Sequence, residues 1–407
     1  MSEVFLINIT GRDRKGLDAK FTGILAQYNV NVLDIGQAVI HEHISLGILV
    51  EIPEEHDFAA IFKDMLFESH NMGISIDVKP VDLDHYEEWV QARGREKRII
   101  TLLGKKLTAL QISKVTSVIA DSNLNIESIT RLTGRLSLKD SLENPRASIQ
   151  LSVTGKPENI MEMRGRFMEI SQASGIDISF HVDNIYSRNR KLVVFDMDST
   201  LIQAEVIDEL AKFVGASGKV AEITEAAMQG KIDFKESFVQ RVALLKGLKE
   251  SDLAGITANL PLSEGVGLVT KTLKGLGYKL GILSGGFTFV GKYLKDKLGF
   301  DYVYANDLEI KRGKVTGRVV GEIIDGEKKA LLLREIAEKE NISIEQTIAV
   351  GDGANDLPMI SIAGLGVAFN AKPIVREKAD NTISSVGLDG LLYLMGLYEM
   401  EITHEIN

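Results

Sequence analysis

The stretch Lys191–Thr200 constrains the fold more than any other part of the chain. Residues 192–195 are all apolar, and two of them are β-branched valines. A short run of this kind is typical of a strand that is buried on both faces of a parallel sheet. Asp196 and Asp198 follow directly, at the strand end where open α/β sheets bind ligands. Alternate residues of extended backbone point the same way, so we expect both aspartates to serve one pocket.

This stretch alone leaves two interpretations open. Aspartate is common in ordinary turns, so a strand end followed by two aspartates has no necessary chemical role. Two carboxylates at such close spacing also repel each other, unless a cation lies between them or one of them is protonated. The remainder of the chain has to decide between a turn and a catalytic site.

The second half of the chain favours a catalytic site. Helices and short apolar strands alternate from residue 190 onward, which predicts βαβ units and a parallel sheet. Polar clusters directly follow two further predicted strands, Tyr278–Leu283 and Thr347–Val350. A fourth strand is predicted at Leu365–Phe369. These clusters, Ser284-Gly285-Gly286 and Gly351-Asp352-Gly353-Ala354-Asn355-Asp356, are therefore expected at the same sheet edge as Asp196. The segment Leu201–Asn259 contains no proline and is helical in pattern, which predicts a helical cap at about 203–262, inserted after the first strand.

The first half contains a repeated βαββαβ pattern, which predicts two small antiparallel sheets with helices on one face. The clearest matched segments are Asn29-Val30-Asn31-Val32 and Asn123-Leu124-Asn125-Ile126. We expect one unit at 1–82, a charged linker at 83–98, a second unit at 99–184 and the parallel-sheet domain at 190–400.

Composition excludes several classes of function. The 407-residue chain has no cysteine, so disulfides, thiolate metal sites and a cysteine nucleophile are impossible. Its net charge of −10 argues against nucleic acid as a partner, because phosphate backbones require a basic face. No signal peptide is evident, and no apolar run is long enough to cross a membrane. We expect a cytoplasmic protein without nucleic-acid or membrane partners.

The polar clusters carry a resemblance to a known family. The segments Asp196-Met197-Asp198-Ser199-Thr200, Ser284-Gly285-Gly286, Lys328 and Gly351–Asp356 resemble the four motifs of haloacid-dehalogenase-like phosphatases. In the predicted cap, Glu205, Met228, Phe234 and Arg241 stand where the phosphoserine phosphatases of that superfamily place their substrate-binding residues. The resemblance implies an α/β fold with a Rossmann-like parallel-sheet core and a helical cap.

The resemblance also implies roles for individual residues. Asp196 is the expected nucleophile, which forms an aspartyl-phosphate. Asp198 is the expected general acid and base. Mg²⁺ would be held by the carboxylates of Asp196 and Asp352 and by the main-chain carbonyl of Asp198. The expected phosphate- and substrate-binding groups are Ser284, Gly285, Lys328 and Asn355, with Asp356 in an orienting role. Lys329 is the neighbouring alternative to Lys328, and alignment by eye favours Lys328.

Substrate choice is expected to reside in the cap. In O-phospho-L-serine, Glu205 would pair with the ammonium group and Arg241 with the carboxylate, while Met228 and Phe234 would form the pocket wall. Two alternatives remain open. One is a phosphatase for another small phosphomonoester, and the other is an amino-acid-sensing regulator with an inert phosphatase fold.

The two N-terminal units resemble ACT domains, which are α+β modules that sense amino acids. The resemblance rests on Gly11-Arg12-Asp13-Arg14-Lys15-Gly16-Leu17, the expected turn between a first strand and a first helix. Gly11 and Asp13 are therefore candidate contacts for serine or another amino acid. The second unit keeps a glycine at Gly104 but lacks the aspartate. Sheet-edge pairing that holds a homodimer together is the alternative role of these units.

Overall fold

The computed structural model describes residues 3–55, 57–91, 96–135, 145–228 and 231–404. The chain divides into two compact units, residues 1–95 and residues 96–407. Within the described ranges, no helix is both long enough and apolar enough to span a membrane.

The first unit is a four-stranded antiparallel sheet covered on one face by two helices. Its elements are β1 Glu3–Arg12, α1 Leu17–Gln27, β2 Asn31–Ile40, β3 His43–Ile52, α2 Phe58–Met72, β4 Ser75–Val81 and α3 Leu83–Gln91. The strand order is β2-β3-β1-β4. Alternate residues of β3 from Ile44 to Ile52 are buried, as expected for a strand with one covered face. The predicted linker contains helix α3.

The second unit begins with a sheet of the same topology, in the order β6-β7-β5-β8. Its elements are β5 Lys97–Gly104, α4 Ala109–Asp121, β6 Leu124–Arg131, β7 Ala147–Gly155, α5 Ile160–Ser174 and β8 Asp177–Asp183. Thr108 forms a capping box with Gln111 at the start of α4, which fixes where that helix begins.

A seven-stranded sheet forms the rest of this unit, in the order β12-β11-β10-β9-β13-β14-β15. Its strands are β9 Leu192–Phe195, β10 Lys279–Phe287, β11 Tyr302–Lys311, β12 Lys314–Val320, β13 Thr347–Gly351, β14 Leu365–Phe369 and β15 Asn381–Ile383. All neighbouring pairs are parallel except β11 and β12, which form an antiparallel hairpin. Every residue of the central strand β9 is buried, as predicted for a strand covered on both faces.

Helices cover both faces of this sheet. They are α10 Val266–Gly275, α11 Thr288–Leu298, α12 Gly326–Lys339, α13 Leu357–Ile362, α14 Pro373–Arg376, α15 Gly390–Leu394 and α16 Glu399–His404. The segment after β9 forms four further helices, α6 Val206–Phe213, α7 Ser217–Met228, α8 Phe234–Ala243 and α9 Glu250–Asn259, which we call the cap.

The second antiparallel sheet packs against the edge of the parallel sheet. Asn381, at the start of β15, accepts hydrogen bonds from Ser179 Oγ at 2.6 Å and from the Phe180 amide at 3.0 Å. The buried Asp177 carboxylate accepts hydrogen bonds from the amides of Ser384 and Ser385, each at 2.8 Å. These bonds join the two sheets inside one compact unit.

Candidate active site

The carboxyl ends of β9, β10 and β13 meet above the parallel sheet, and the predicted polar clusters lie there. Asp196 directly follows β9, and its amide donates to the Val350 carbonyl of β13 at 2.8 Å. Its side chain is 8% exposed, and Oδ1 accepts from the Met197 amide at 2.7 Å. The backbone of two adjacent strands therefore fixes the carboxylate in position.

A buried lysine neutralises this carboxylate, and it is Lys329. Its ammonium group lies 2.9 Å from Asp196 Oδ1 and 2.6 Å from Asp356 Oδ1. Lys329 is fully buried, and burial alone lowers the pKa of an ammonium group. The negative charges of Asp196 and Asp356 outweigh that effect and raise the pKa of Lys329 above its usual value. Lys329 therefore remains a cation throughout the physiological pH range.

The structure places Lys329, and not the expected Lys328, beside Asp196. Helix α12 begins after Asp325, whose carboxylate accepts from the Lys328 amide at 2.9 Å. Successive helical residues are about 100° apart around the axis, so adjacent lysines cannot share a face. Lys328 points outward and pairs with the exposed Glu322 at 2.9 Å.

Three carboxylates cluster around Lys329. Oxygen atoms of Asp196, Asp352 and Asp356 all lie within 4.8 Å of one another. Asp356 is fully buried, and its Oδ2 accepts from the amides of Asp352 and Gly353 at 3.1 and 2.9 Å. Thr200 donates to Asp352 Oδ1 at 3.1 Å. Asp356 thus supports the loop that holds Asp352.

The donor set fits a divalent cation. Burial, together with the charges of Asp196 and Asp356, raises the pKa of Asp352 to about 8. A raised pKa of this kind shows that the carboxylates together carry more negative charge than Lys329 neutralises. A further cation would therefore stabilise the ionised form of Asp352. All available ligand atoms are oxygens, which is the preference of Mg²⁺. No thiolate ligand is possible, because the chain has no cysteine.

This electrostatic arrangement predicts how the stability of the metal-free protein depends on pH. The Asp352 carboxyl titrates near 3.8 when unfolded and near 8 when folded, so the folded state binds more protons between those values. The free energy of unfolding therefore falls as pH rises through that window. We expect the Tm of chelator-treated protein to be lower at pH 8 than at pH 5.

Two comparisons test this pH dependence. Asp352→Asn should have a flatter Tm profile than the wild type, and added Mg²⁺ should raise the wild-type Tm more at pH 8 than at pH 5. A wild-type profile no steeper than that of Asp352→Asn would show that Asp352 does not cause this pH dependence.

Asp198 lies beside this cluster and is held in a different way. Its Oδ1 accepts from the Val206 amide at the start of α6, at 3.0 Å. Burial and the nearby carboxylates of Glu205 and Asp196 raise its pKa well above the ordinary value. The backbone has almost no spare room here, since a Cβ on Gly286 would lie 2.3 Å from Asp198 Oδ2. Asp198 is thus a half-buried carboxyl group whose surroundings oppose ionisation.

Hydrogen bonds fix the backbone at the end of β10. Ser284 is fully buried, and its Oγ accepts from the Gly286 amide at 2.9 Å. The Gly285 carbonyl accepts from Asn306 Nδ2 at 2.8 Å, and Asn306 Oδ1 accepts from the Ile324 amide at 2.9 Å. The sequence interpretation missed Asn306, which has no motif of its own and acts only through this bridge.

The cap approaches the site from above. The ring of Phe234 lies so near Gly285 that a Cβ there would be 2.8 Å from it. Glu205 precedes α6 and accepts from Ser199 Oγ at 2.9 Å. Arg241 is half-buried, and the carboxylates of Glu205 and Asp208 raise its pKa while burial, the larger effect, lowers it. Met228 is the last residue of α7, and its side chain lies outside the part of the chain that the structure describes.

Several predicted site residues thus come together above the sheet. Lys329 contacts Asp196 and Asp356, and Asp352 and Asp198 lie near these carboxylates. Ser284, Gly285 and Phe234 lie on the β10 side. Asn355 belongs to the Gly351–Asp356 loop, and its carbonyl oxygen would lie 2.7 Å from a Cβ on Gly326 at the start of α12.

The candidate ligand residues of the first unit have a different environment. Gly11 lies inside β1, where a Cβ would be 2.7 Å from the Ile74 side chain. Gly104 of the second unit approaches Ile176 in the same way, at 3.1 Å. The amide of Asp13 donates to the Glu42 carbonyl at 2.7 Å. The repeated glycine is therefore explained by close packing, and the amino-acid site at Gly11 and Asp13 stays a prediction.

Comparison with known proteins agrees with these features. ACT domain models match residues 3–79 and 97–181, and the haloacid dehalogenase-like hydrolase model matches residues 193–361. A phosphoserine phosphatase of Streptomyces coelicolor is 39% identical over 397 residues, which cover 98% of this chain and 93% of that protein. A phosphoserine phosphatase of Mycobacterium tuberculosis is 37% identical and covers 98% of this chain and 94% of its own length.

Solved structures give the same result. A probable phosphoserine phosphatase from Vibrio cholerae aligns with a TM-score of 0.58 and 33% identity, covering 78% of this chain and 90% of that chain. A HAD family hydrolase from Salmonella enterica serovar Typhi aligns with a TM-score of 0.62 and 31% identity, over 73% of this chain and 98% of that chain. These matches confirm the expected fold class. The chain belongs to the phosphoserine phosphatase family.

Proposed function

We propose that this chain hydrolyses O-phospho-L-serine to L-serine and phosphate through an aspartyl-phosphate on Asp196. The observation that carries the proposal is the buried Asp196–Lys329–Asp356 array. It lies beneath the cap, close to Glu205, which precedes α6, and to Arg241 of α8. Full-length similarity to phosphoserine phosphatases of two bacteria supports the same substrate.

In this mechanism, Asp196 attacks phosphorus with Oδ2. Its Oδ1 already accepts from the Met197 amide and lies against Lys329, so Oδ2 is the oxygen left for the reaction. Asp198 protonates the leaving serine oxygen, for which a raised pKa is the required property. As a carboxylate, Asp198 then takes a proton from the water that hydrolyses the aspartyl-phosphate. Ser284 and the Gly285 amide bind phosphate oxygens, and Lys329 balances their charge.

The proposed cofactor is Mg²⁺, held by the carboxylates of Asp196 and Asp352 and the carbonyl of Asp198. When bound, it supplies positive charge that offsets the repulsion between the Asp196 carboxylate and the phosphate. Phosphate release should therefore stop on chelation and return when Mg²⁺ is added.

The activity is tested with a panel of small phosphomonoesters. Release of phosphate from O-phospho-L-serine should exceed release from glucose 6-phosphate and from phosphoethanolamine, which lacks the carboxylate. Equal turnover of all three substrates would indicate a general phosphatase without selectivity for O-phospho-L-serine. No turnover of any substrate would favour a regulator with an inert phosphatase fold.

Replacing Arg241 separates substrate recognition from chemistry. In Arg241→Met, loss of two charge-assisted hydrogen bonds should raise KM for O-phospho-L-serine about 100-fold, or about 3 kcal/mol. Turnover of p-nitrophenyl phosphate, which has no carboxylate, should stay near the wild-type rate. Gln240→Ala, an exposed neighbour on α8, is the matched control. A comparable loss on both substrates would place Arg241 in the phosphate site instead.

The ACT domains are proposed to assemble a homodimer and to bind serine or another amino acid. The ten-residue edge strand β2 supports assembly, because its apolar Val32, Ile35 and Ile40 are 47%, 52% and 79% exposed. Sedimentation of the full chain tests assembly, and calorimetry with L-serine tests binding. A monomer that binds no serine would refute both roles.

A further inference from the structure

The cap is attached to the edge strand of the parallel sheet by main-chain hydrogen bonds. The Gly247 amide donates to the Val315 carbonyl of β12, and the Val315 amide donates to the Leu248 carbonyl, both at 2.8 Å. At the hairpin turn, the Glu250 amide at the start of α9 donates to the Gly313 carbonyl at 3.0 Å. Three bonds therefore join the β11–β12 hairpin to the chain between α8 and α9.

A bulge in β12 brings this hairpin against the end of α8. Three residues of β12, 316–318, lie opposite a single residue of β11, and Gly317 is the middle one, with a φ of 83°. A Cβ on Gly317 would lie 3.0 Å from the Ala243 carbonyl oxygen and 3.2 Å from Lys246 Cβ. Glycine alone suits both this left-handed backbone and this close approach, so the bulge fits against the last residue of α8 without displacing it.

Helix α8 carries two residues of the proposed substrate pocket. Phe234 is its first residue, and Arg241 lies in its last turn, two residues before Ala243. The Arg241 guanidinium lies near the carboxylates of Glu205 and Asp208. Because a helix of ten residues spans only about 15 Å, the position of its last residue determines where the Arg241 guanidinium can reach.

The other strand of the hairpin holds the phosphate side of the site. Asn306 of β11 donates to the Gly285 carbonyl at 2.8 Å and accepts from the Ile324 amide at 2.9 Å. Within the hairpin, Thr316 Oγ1 donates to Glu309 Oε2 at 2.7 Å, which joins the two strands at the bulge. One hairpin therefore contacts both the turn proposed to bind phosphate and the helix proposed to bind the substrate carboxylate.

We propose that the β11–β12 hairpin fixes the distance between Arg241 and the Ser284–Gly285 turn, and thereby selects substrates by the separation of their phosphate and carboxylate groups. This role rests on the function proposed above, and it places part of the specificity outside the cap. Gly317 is then a positioning residue, because it acts through α8 and does not touch the substrate. Displacement of a group by about 1 Å can cost about 100-fold in rate, so a single added Cβ is enough to test the role.

Two matched pairs of variants test this role in the full-length chain with Mg²⁺. Gly317→Ala places a Cβ against α8, whereas Gly321→Ala is its control, since Gly321 has a similar φ of 81° but nothing within 4 Å of the Cβ position. Glu250→Pro removes the amide that donates to Gly313, and Glu250→Ala keeps it. Proline is favoured at the first position of a helix, and Lys249 has the extended φ and ψ, −77° and 138°, that a following proline requires. Glu250→Pro should therefore fold even if Gly317→Ala does not.

The first measurement compares O-phospho-L-serine with O-phospho-L-homoserine, which is longer by one methylene. The wild type should have the higher kcat/KM for O-phospho-L-serine. Gly317→Ala should lower this preference at least about tenfold by raising KM for O-phospho-L-serine, and Glu250→Pro should lower it less. Turnover of p-nitrophenyl phosphate should not change, and both control variants should behave as the wild type. Added to Arg241→Met, Gly317→Ala should have no further effect, because both changes act on one contact.

The second measurement, amide hydrogen exchange of the α8 peptide 234–243, does not depend on the substrate. Exchange should be faster in Gly317→Ala and Glu250→Pro than in their controls. Unchanged exchange would overturn the hold of the hairpin on α8. Faster exchange with an unchanged substrate preference, an equal loss on p-nitrophenyl phosphate, or an effect that adds to that of Arg241→Met would overturn the role in selection. A wild type inactive on O-phospho-L-serine would refute the proposed function and the selection with it, and the exchange rates would still decide the hold on α8.

Discussion

Asp196→Asn should reduce kcat for O-phospho-L-serine by at least about 10⁴-fold, because the amide cannot form the acyl phosphate that splits the reaction into two steps. The substitution preserves shape, and an amide oxygen can still accept from the Met197 amide. Lys329 retains its bond to Asp356. We therefore expect a folded protein that binds substrate without turning it over.

Two measurements check this result. Phosphate release gives the rate, and rapid acid quenching with phosphate-labelled substrate should trap label on the wild-type protein and none on Asp196→Asn. Asp296→Asn, at an exposed position of α11, is the control for a neutralised aspartate. Labelled protein recovered from Asp196→Asn would show that another residue is the nucleophile.

The adjacent lysines provide the second large effect. Lys329→Met should lower kcat about 10³-fold and destabilise the fold by about 3–5 kcal/mol, because two buried carboxylates lose their cation. Lys328→Met removes only the ion pair with the exposed Glu322, so it should have little effect on stability and leave turnover unchanged.

Turnover and Tm of both variants decide the assignment, and Lys329→Arg provides a folded comparison that keeps a cation. If Lys328→Met loses activity while Lys329→Met does not, the position expected from sequence is the correct one.

The sequence could have shown which of the two adjacent lysines is buried. Lys329, Leu332, Leu333 and Ile336 have the i, i+3, i+4, i+7 spacing of one buried helical face, and all four are buried. Lys328 shares its face with Leu331 and Glu335, which are exposed. The spacing of apolar residues along the helix therefore identifies the buried lysine, whereas motif alignment favoured the exposed face.

The strand ends were predictable because their signals are local. An apolar run followed by aspartate, serine or glycine identifies β9, β10 and β13, and the structure brings all three ends to one edge. The hairpin β11–β12 was missed, since its turn is Arg312-Gly313, with φ values of 54° and 71°, instead of the usual Asn-Gly or Asp-Gly. Strand β15 has three residues, too few for a periodic pattern.

Contacts between distant segments could not be predicted in this way. Asn306 bridges Gly285 and Ile324, and Asn381 bridges β8 and β14, yet neither belongs to a recognisable motif. Their roles depend on which loops the fold brings together, and a single sequence holds no signal for that.

One carboxylate links the cap to the catalytic core. Asp325 accepts from the Lys328 amide at the start of α12, and it also pairs with Lys235 of cap helix α8 at 2.9 Å. The Lys235 side chain is 51% exposed, so dissolved salt screens this pair. The attachment of the cap to the core should therefore weaken as ionic strength rises. Asp325 would still accept from the Lys328 amide and so fix the start of α12, the helix that carries Lys329. Substrate capture would then vary with the salt content of the medium, and the chemical step would not.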